Sequence, residues 1–372
     1  MVARVLKLIA LLVACAAASL VAQSKPRARD LGITPGEYPP GPLNAITDVT
    51  GVRVGHTTIT RGDDVRTGVT AVLAHDGNMF QEKVAGAVFV GNAFGKLAGS
   101  TQVNELGTIE TPIVLTNTLA VGVAVDAVVR YTLAQPGNEQ VRSVNALVGE
   151  TNDGGLNNIR RLPVTTADVL GAIRNAASGP VAEGSVGAGT GTVCFGWKCG
   201  IGTSSRSVPV GSGSYLVGVL AQTNFGGNLT IAGVPVWRSL QPPRARVQPS
   251  PGDGSCMLVV ATNAPIDARD LNRLAARAIF GLARTGSSYS NGSGDFAIAF
   301  STSSEMRSRF GDSSARTRSV LPPDAMSPLF EAALAATEEA VYNSLFQATS
   351  VSSHAGSAEA IPIDRVRALL AR

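Results

Sequence analysis

Ser255 stands at an abrupt change in the sequence that suits a nucleophile. Residues 237–254 are rich in proline and arginine and resemble an exposed linker, the kind of segment in which chains are cut. The apolar strand pattern that follows would hold Ser255 rigidly. Cleavage after Gly254 would give Ser255 a free α-amine, whose reference pKa of about 7.7–8.0 suits a general base near neutral pH. The residues are therefore compatible with the chemistry of an N-terminal serine.

Other bases for a serine nucleophile are not evident in the sequence. It has no Gly-x-Ser-x-Gly elbow and no Ser-x-x-Lys pair, and its three histidines lie far apart, without metal-ligand spacing. Gly254 can adopt backbone conformations closed to other residues, so the peptide could be held strained toward attack. From the spacing alone, however, an ordinary turn before a strand is the favoured interpretation of residues 252–255.

The composition is that of a globular protein. The chain has 372 residues, of which 44% are hydrophobic and 16% charged, enough for one large core or two modest ones. The formal net charge is +4. No run of Lys or Arg would track phosphates, so we expect no nucleic-acid binding. We expect no metal or organic cofactor. Cys194 and Cys199 could pair, but two small buried thiols are favoured.

The first 22 residues predict export. Arg4 and Lys7 precede an apolar stretch from Leu8 to Ala22, which is the order of a secretory signal, with cleavage near Ala22. Two alternatives stay open: a retained membrane anchor, and lipidation of Cys15 within a segment that resembles a bacterial lipobox. We expect the mature protein in the periplasm.

The elements that must position these residues alternate between strands and helices. The glycine-rich segment 184–202 lacks a dinucleotide or Walker fingerprint and is interpreted as turns between strands. The alternation in residues 295–301 predicts a half-buried strand. Together the pattern predicts a layered α/β protein of one compact body. Further strands are predicted at 51–59, 68–73, 112–117, 143–149, 214–222 and 256–262, and helices at 119–133, 166–177, 271–282 after an Asp267 cap, 328–346 and 364–371.

Several short stretches, spread from Arg27 to the C-terminus, carry a family resemblance. Taken in order, they resemble the L-aminopeptidase/D-amidase-esterase and β-peptidyl aminopeptidase family, whose members are processed into two subunits with an N-terminal serine nucleophile. The resemblance implies cleavage between Gly254 and Ser255. The stretches are residues 27–32, 41–49, 105–107, 116–118, 149–154, 187–206, 252–255, 284–286 and 290–295.

The resemblance also implies roles for individual residues. Ser255 matches the nucleophile, and Ser293 with Asp295 matches the pair that hydrogen-bonds its amine and hydroxyl. Asn224 matches the side-chain donor of the oxyanion hole, and Glu150 the carboxylate that receives the substrate's ammonium group. Judged without the family, Asn224 fits a turn residue, Ser293 a β-turn hydroxyl and Asp295 a strand-start cap.

Two residues depart from the family pattern. Glutamate is usual where this chain has Asp295, so the carboxylate reaches less far and could act through Ser293 or water. An aromatic residue is common where this chain has Gly155, and its absence would open or reshape the specificity pocket.

The fold implied by the resemblance is a four-layer α/β/β/α sandwich of the aminopeptidase/ornithine acetyltransferase type, like N-terminal-nucleophile hydrolases but differently connected. After removal of residues 1–22, subunits 23–254 and 255–372 would form one catalytic domain. The implied assembly is a homotetramer of αβ heterodimers.

The implied function is that of a self-processing serine aminopeptidase or amidase-esterase. It would release N-terminal L-, D- or β-amino acids from small peptides, amides or esters that carry a free amino terminus. One alternative is an acyltransferase resembling ornithine acetyltransferase, although that family is cytoplasmic and uses threonine as nucleophile. A non-catalytic periplasmic binding protein on the same fold is the other, and it would remain uncut.

Overall fold

The structure is a computed structural model that describes residues 25–211, 213–243 and 253–371. The expected signal and half of the expected linker, residues 244–252, lie outside the described residues. The helices of the described residues are α1 (Ser100–Leu106), α2 (Val121–Leu133), α3 (Thr166–Arg174), α4 (Ala268–Arg284), α5 (Ser327–Phe346) and α6 (Ile363–Leu370). The strands are β1 (Arg53–Arg61), β2 (Val65–Leu73), β3 (Glu82–Ala93), β4 (Leu97–Ala98), β5 (Thr108–Ile109), β6 (Ile113–Asn117), β7 (Leu147–Thr151), β8 (Val193–Cys194), β9 (Trp197–Lys198), β10 (Ile201–Val210), β11 (Gly213–Asn224), β12 (Asp253–Thr262), β13 (Gly292–Ser301), β14 (Ser308–Arg309), β15 (Val351–Ser352) and β16 (Ser357–Ala358).

The first sheet has five strands in the order β1-β2-β6-β7-β4. β1 and β2 form an antiparallel hairpin, whereas β6 and β7 run parallel, with Asn117 opposite Thr151. A parallel pair needs a crossover, which α2 supplies. The carboxyl ends of β6 and β7 therefore meet at one edge, which brings the end of β7 next to the segment after Asn117.

The second sheet has seven strands, in the order β10-β11-β12-β13-β3-β14 with β5 beside β3. β12 and β13 are parallel and are connected through α4, while β11 runs antiparallel to β12. As a consequence, the end of β11 and the starts of β12 and β13 lie side by side.

The two sheets pack face to face, with helices outside them. Met257, Val259 and Ile298 point into the apolar cluster between the sheets. The alternate residues of the same strands, such as Leu258 and Ala297, belong to a second cluster beneath α4 and α5. Helices α2 and α3 pack against the five-stranded sheet. The four-layer α/β/β/α sandwich is therefore confirmed.

Most predicted elements are confirmed. Asp267 caps α4, and its carboxylate accepts a hydrogen bond from the Asp270 backbone N–H at 3.0 Å. The strand predicted at 143–149 begins later, at Leu147. The half-buried strand predicted at 295–301 is wrong in its exposure, because β13 is buried on both faces between α4 and the first sheet.

The preference for free thiols at Cys194 and Cys199 is also wrong, since these two residues form a disulfide with a Cα–Cα distance of 5.7 Å. β8 and β9 form a short hairpin whose turn residues, Phe195 and Gly196, have positive φ. That turn reverses the chain within a few residues and brings the two cysteines together. Cys256 is free and buried.

A buried ion pair ties the second sheet to its helical cover. Arg206 of β10 and Glu339 of α5 are both fully buried and lie 2.7 Å apart. The same carboxylate pairs with Arg29. The region that precedes β1 is thereby fixed to the core. Among the described residues, no helix has the length and apolarity needed to cross a membrane.

Candidate active site

Ser255 is the third residue of β12, in the middle of the second sheet. It is 4% exposed, and its hydroxyl donates to the carbonyl oxygen of Gly254 at 2.5 Å. The hydroxyl thus lies directly beside the carbonyl group of the bond that self-cleavage would break. Asn224 is its register partner on β11, and Gly294 its partner on β13.

Asn224 lies beside Ser255 on the face that looks toward the first sheet, because directly paired residues of neighbouring strands share a face. Its side-chain oxygen accepts from the Val193 backbone N–H at 3.0 Å. Its side-chain nitrogen donates to the Asn152 carbonyl at 2.9 Å. These two bonds orient the amide, and one N–H remains to donate to a reacting oxygen. Asn224 is the last residue of a strand, not a turn residue.

Ser293 and Asp295 lie on the other face of the same sheet. Ser293 is the register partner of Gly254, and Asp295 that of Cys256, so side-chain alternation turns both away from the Ser255 hydroxyl. A Cβ placed on Gly254 would lie 3.3 Å from Ser293 Oγ. The pair therefore flanks the backbone at the Gly254–Ser255 bond. This placement suits contact with a freed amine better than contact with the hydroxyl.

Asp295 is a buried carboxylate to which the described residues give no hydrogen bond of standard geometry, although the Ser293 hydroxyl lies close enough to interact with it. Burial raises its pKa to about 6, and the nearby Ser293 hydroxyl offsets part of the shift. The absence of backbone donors argues against a strand-start cap. A buried carboxylate with so little hydrogen bonding is costly, and an ammonium group formed beside it would stabilise it.

Glu150 reaches the site from the first sheet. It lies near the end of β7 and is 2% exposed. Oε1 accepts from the Lys96 backbone N–H at 3.0 Å, and Oε2 accepts from the Thr118 hydroxyl. The Lys96 ammonium lies 3.8 Å from Oε1, and its side chain is 54% exposed. A carboxylate held in this way can receive a second ammonium group.

Two glycines bring the two sheets close at this point. A Cβ on Gly95 would lie 3.5 Å from Glu150 Oε1, and a Cβ on Gly294 would lie 2.5 Å from the Gly95 Cα. Gly294 is the neighbour of Ser255 on β13, so Gly95 lies between Glu150 and the strand beside Ser255, with the Phe296 ring also close to it. All the residues proposed from the sequence thus meet at one end of the two sheets, divided between the two faces of the second sheet.

Three further contributors were missed in the sequence. Thr118 lies inside a stretch that carries the family resemblance, so its position could have been suspected. Asn152, whose carbonyl binds Asn224, lies in another such stretch, residues 149–154. Lys96 gave no signal, because its contact with Glu150 depends on the approach of separate segments.

The layers and the serine on a central strand define a hydrolase whose fold is related to that of N-terminal-nucleophile enzymes. The profile of peptidase family S58 matches residues 44–359. The chain belongs to that family and is a peptidase.

Relatives of known name agree with this assignment. β-Peptidyl aminopeptidase BapA of Sphingosinicella microcystinivorans is 41% identical over 370 residues, covering 93% of this chain and 92% of that protein. The solved structure of a Burkholderia sp. β-aminopeptidase is 39% identical with a TM-score of 0.85, covering 93% of this chain and 98% of that one. The L-aminopeptidase D-Ala-esterase/amidase of Ochrobactrum anthropi, described as a variant of the N-terminal-nucleophile hydrolase fold, is 37% identical with a TM-score of 0.86 and the same coverages. The acyltransferase and binding-protein alternatives are not favoured.

Proposed function

We propose that this aminopeptidase cleaves its own Gly254–Ser255 bond and then uses Ser255 to release N-terminal residues from peptides, amides or esters. The observation that carries the proposal is the buried carboxylate of Asp295 beside that bond, which receives no hydrogen bond of standard geometry from the described residues. Cleavage would place an amine next to it. The two subunits, residues 23–254 and 255–372, would remain one domain because β12 is held between β11 and β13.

Self-cleavage begins with attack of the Ser255 hydroxyl on the Gly254 carbonyl carbon. A C–O bond forms, the C–N bond breaks, and the hydroxyl proton is passed to the departing nitrogen, which leaves an ester and a free amine. Water then hydrolyses the ester, releasing Gly254 as a carboxylate and restoring the hydroxyl. The ionised Asp295 would stabilise the ammonium form of the new amine.

Turnover of substrate uses the same hydroxyl. The α-amine of Ser255 accepts the hydroxyl proton as the oxygen attacks the substrate carbonyl, and it returns that proton to the leaving amine. The amide of Asn224 donates to the oxygen that becomes negative. Such donors are worth roughly 3–4 kcal/mol in other serine hydrolases. Water then releases the acyl group.

The substrate end of the site supports an exopeptidase. Glu150 is a buried carboxylate near the end of β7 and would bind the substrate's ammonium group. The names of the relatives extend the proposal to N-terminal β-amino acids, as well as L- and D-residues. Gly155, in place of an aromatic residue, would leave room for a large side chain.

Mass spectrometry of the purified protein tests self-cleavage. We expect two fragments, one of which begins at Ser255. A Ser255→Ala variant should remain a single chain, and Ser255→Cys serves as the matched control that keeps a nucleophile. The proposal would be refuted if Ser255→Ala still splits at this bond, or if the uncut chain hydrolyses aminoacyl p-nitroanilides.

We further propose export to the periplasm and assembly of αβ heterodimers into a homotetramer. The Cys194–Cys199 disulfide supports an oxidising compartment. Exposed apolar side chains, including Phe94 and Leu106 at 64% each, support burial between subunits. Sequencing of the mature N-terminus would test export. Fatty-acid labelling would test lipidation at Cys15, and the mass of the assembly in solution would test the homotetramer.

A further inference from the structure

The disulfide lies next to the amide that is proposed to stabilise the oxyanion. Cys194 and Cys199 are both fully buried, and they close the β8–β9 hairpin. Three consecutive residues at the end of β11 are hydrogen-bonded to this hairpin or to the glycine that follows it. Thr223 donates to the Gly200 carbonyl, from its backbone N–H at 3.1 Å and from its hydroxyl at 2.9 Å. The side-chain oxygen of Asn224 accepts a hydrogen bond from the Val193 backbone N–H. The Phe225 carbonyl accepts one from the Phe195 N–H at 2.9 Å.

We propose that the Cys194–Cys199 disulfide is a positioning element for the Asn224 side chain. The disulfide holds the hairpin closed, which keeps the Val193 N–H aimed at the Asn224 side-chain oxygen. This inference rests on the proposed role of Asn224 as the oxyanion donor.

The reason lies in the chemistry of an amide side chain. An asparagine amide can rotate by half a turn, which exchanges its oxygen and its nitrogen. If the oxygen faced the reacting group, it would repel a developing oxyanion. The Val193 N–H at 3.0 Å can bond only to the oxygen, and the Asn152 carbonyl at 2.9 Å only to the nitrogen. The Val193 bond therefore selects the orientation that presents an N–H to the substrate.

The hairpin has other anchors, so loss of the disulfide should act locally. The Lys198 side chain is fully buried and donates to the Gly189 carbonyl at 2.9 Å, and its backbone N–H donates to the Glu359 carbonyl at 2.7 Å. Trp197 is also buried. These contacts hold β9, and the disulfide joins β8, which carries Val193, covalently to the residue that follows β9.

A double-mutant cycle tests the proposal on the matured, active-site-titrated protein. Three variants are compared with the wild-type enzyme. The first carries both Cys194→Ala and Cys199→Ala, the second carries Asn224→Ala, and the third carries all three substitutions. We expect disulfide removal to lower kcat by about tenfold or more while KM changes less than about twofold, because the oxyanion forms only in the transition state. In the Asn224→Ala background, disulfide removal should lower kcat by less than about twofold. Asn224→Gln replaces Asn224→Ala if that chain does not mature.

The outcomes separate the inference from the proposed function. If disulfide removal lowers only the melting temperature and leaves kcat unchanged, or if its effect multiplies fully with that of Asn224→Ala, the positioning role is overturned. If Asn224→Ala itself leaves kcat unchanged, the proposed role of Asn224 fails first. Alkylation of the unfolded, unreduced wild-type enzyme should leave both cysteines unmodified, and free thiols there would contradict the inference directly.

Discussion

At the scale of single residues, Asp295 is the side chain whose surroundings self-cleavage would change most. In the uncut chain its carboxylate is buried with no hydrogen bond of standard geometry from the described residues, and burial raises its pKa to about 6. The folded chain therefore binds this proton more tightly than the unfolded chain does. Stability is lost as the pH rises from the ordinary carboxyl pKa of about 3.9 toward 6. A newly formed ammonium group would relieve that cost.

The change Asp295→Asn tests this residue in the precursor. We expect the rate of self-cleavage to rise with pH around a midpoint near 6 as Asp295 ionises. The asparagine variant should lack this rise and mature at least about tenfold more slowly, because a neutral amide cannot stabilise the ammonium. A time course by gel from pH 5 to pH 8 measures both. An unchanged rate and profile would rule out the role.

Lys96 is the second residue whose charge bears on the site, because its ammonium lies 3.8 Å from the carboxylate proposed to receive the substrate. We expect Lys96→Met to lower KM for aminoacyl p-nitroanilides by about twofold to fivefold, the range of an exposed ion pair, since one competing cation is removed. Lys96→Arg keeps the charge and should leave KM near the wild-type value. A higher KM for Lys96→Met would mean that Lys96 supports binding and does not compete with it.

At the scale of elements, the site is assembled from strand ends. Parallel pairing of β12 with β13 places Gly254 opposite Ser293, and parallel pairing of β6 with β7 places Glu150 next to the segment that holds Thr118. α5 covers the second sheet and contributes Glu339, which pairs with the fully buried Arg206. The helix thus stabilises the sheet that carries the nucleophile.

The change Glu339→Gln tests the buried pair. Arg206 would keep its charge without a carboxylate partner, so we expect the free energy of unfolding to fall by about 3–5 kcal/mol. Glu331→Gln is the matched control, because Glu331 lies exposed on the same helix and should change stability by less than about 0.5 kcal/mol. Denaturant unfolding of the uncut Ser255→Ala chain measures both. A loss of less than about 1 kcal/mol for Glu339→Gln would show that the pair contributes little.

At the scale of the whole molecule, the connection from the second sheet to the first passes beside the site: Gly95, between β3 and β4, meets the glycine backbone at Gly294. The Gly95 Cα lies 2.5 Å from the position of a Cβ on Gly294. A side chain at either position would push the first sheet, and with it Glu150, away from Ser255. The close contact therefore links sheet packing to substrate binding.

The change Gly294→Ala tests this contact. The new methyl group meets backbone that cannot move aside cheaply, so we expect a loss of about 1–3 kcal/mol in stability and a higher KM. Gly122→Ala on α2 is the control: nothing lies within 4 Å of its Cβ position, so it should be neutral or slightly stabilising. Unfolding curves and aminopeptidase kinetics check both variants. Wild-type behaviour of Gly294→Ala would show that the sheets can separate there without cost.

The sequence by itself determined the types of most elements and indicated Ser255 as a candidate nucleophile. Local patterns carry that information: Asp267 caps α4 through its own turn, and Ser255 lies where linker composition changes to strand composition. The glycine-rich segment likewise contains turns, including the β8–β9 hairpin. These features depend on hydrogen-bond periodicity and turn chemistry within a few residues.

Only the tertiary structure decided which faces and distant segments meet. It closed the Cys194–Cys199 disulfide, buried β13 on both faces, and set Asp295 on the opposite side of the sheet from the Ser255 hydroxyl. It also brought Lys96 into contact with Glu150, which no sequence motif predicted. The physical reason is that strand register and layer packing join residues far apart in the chain, and the local pattern of either partner does not encode the other.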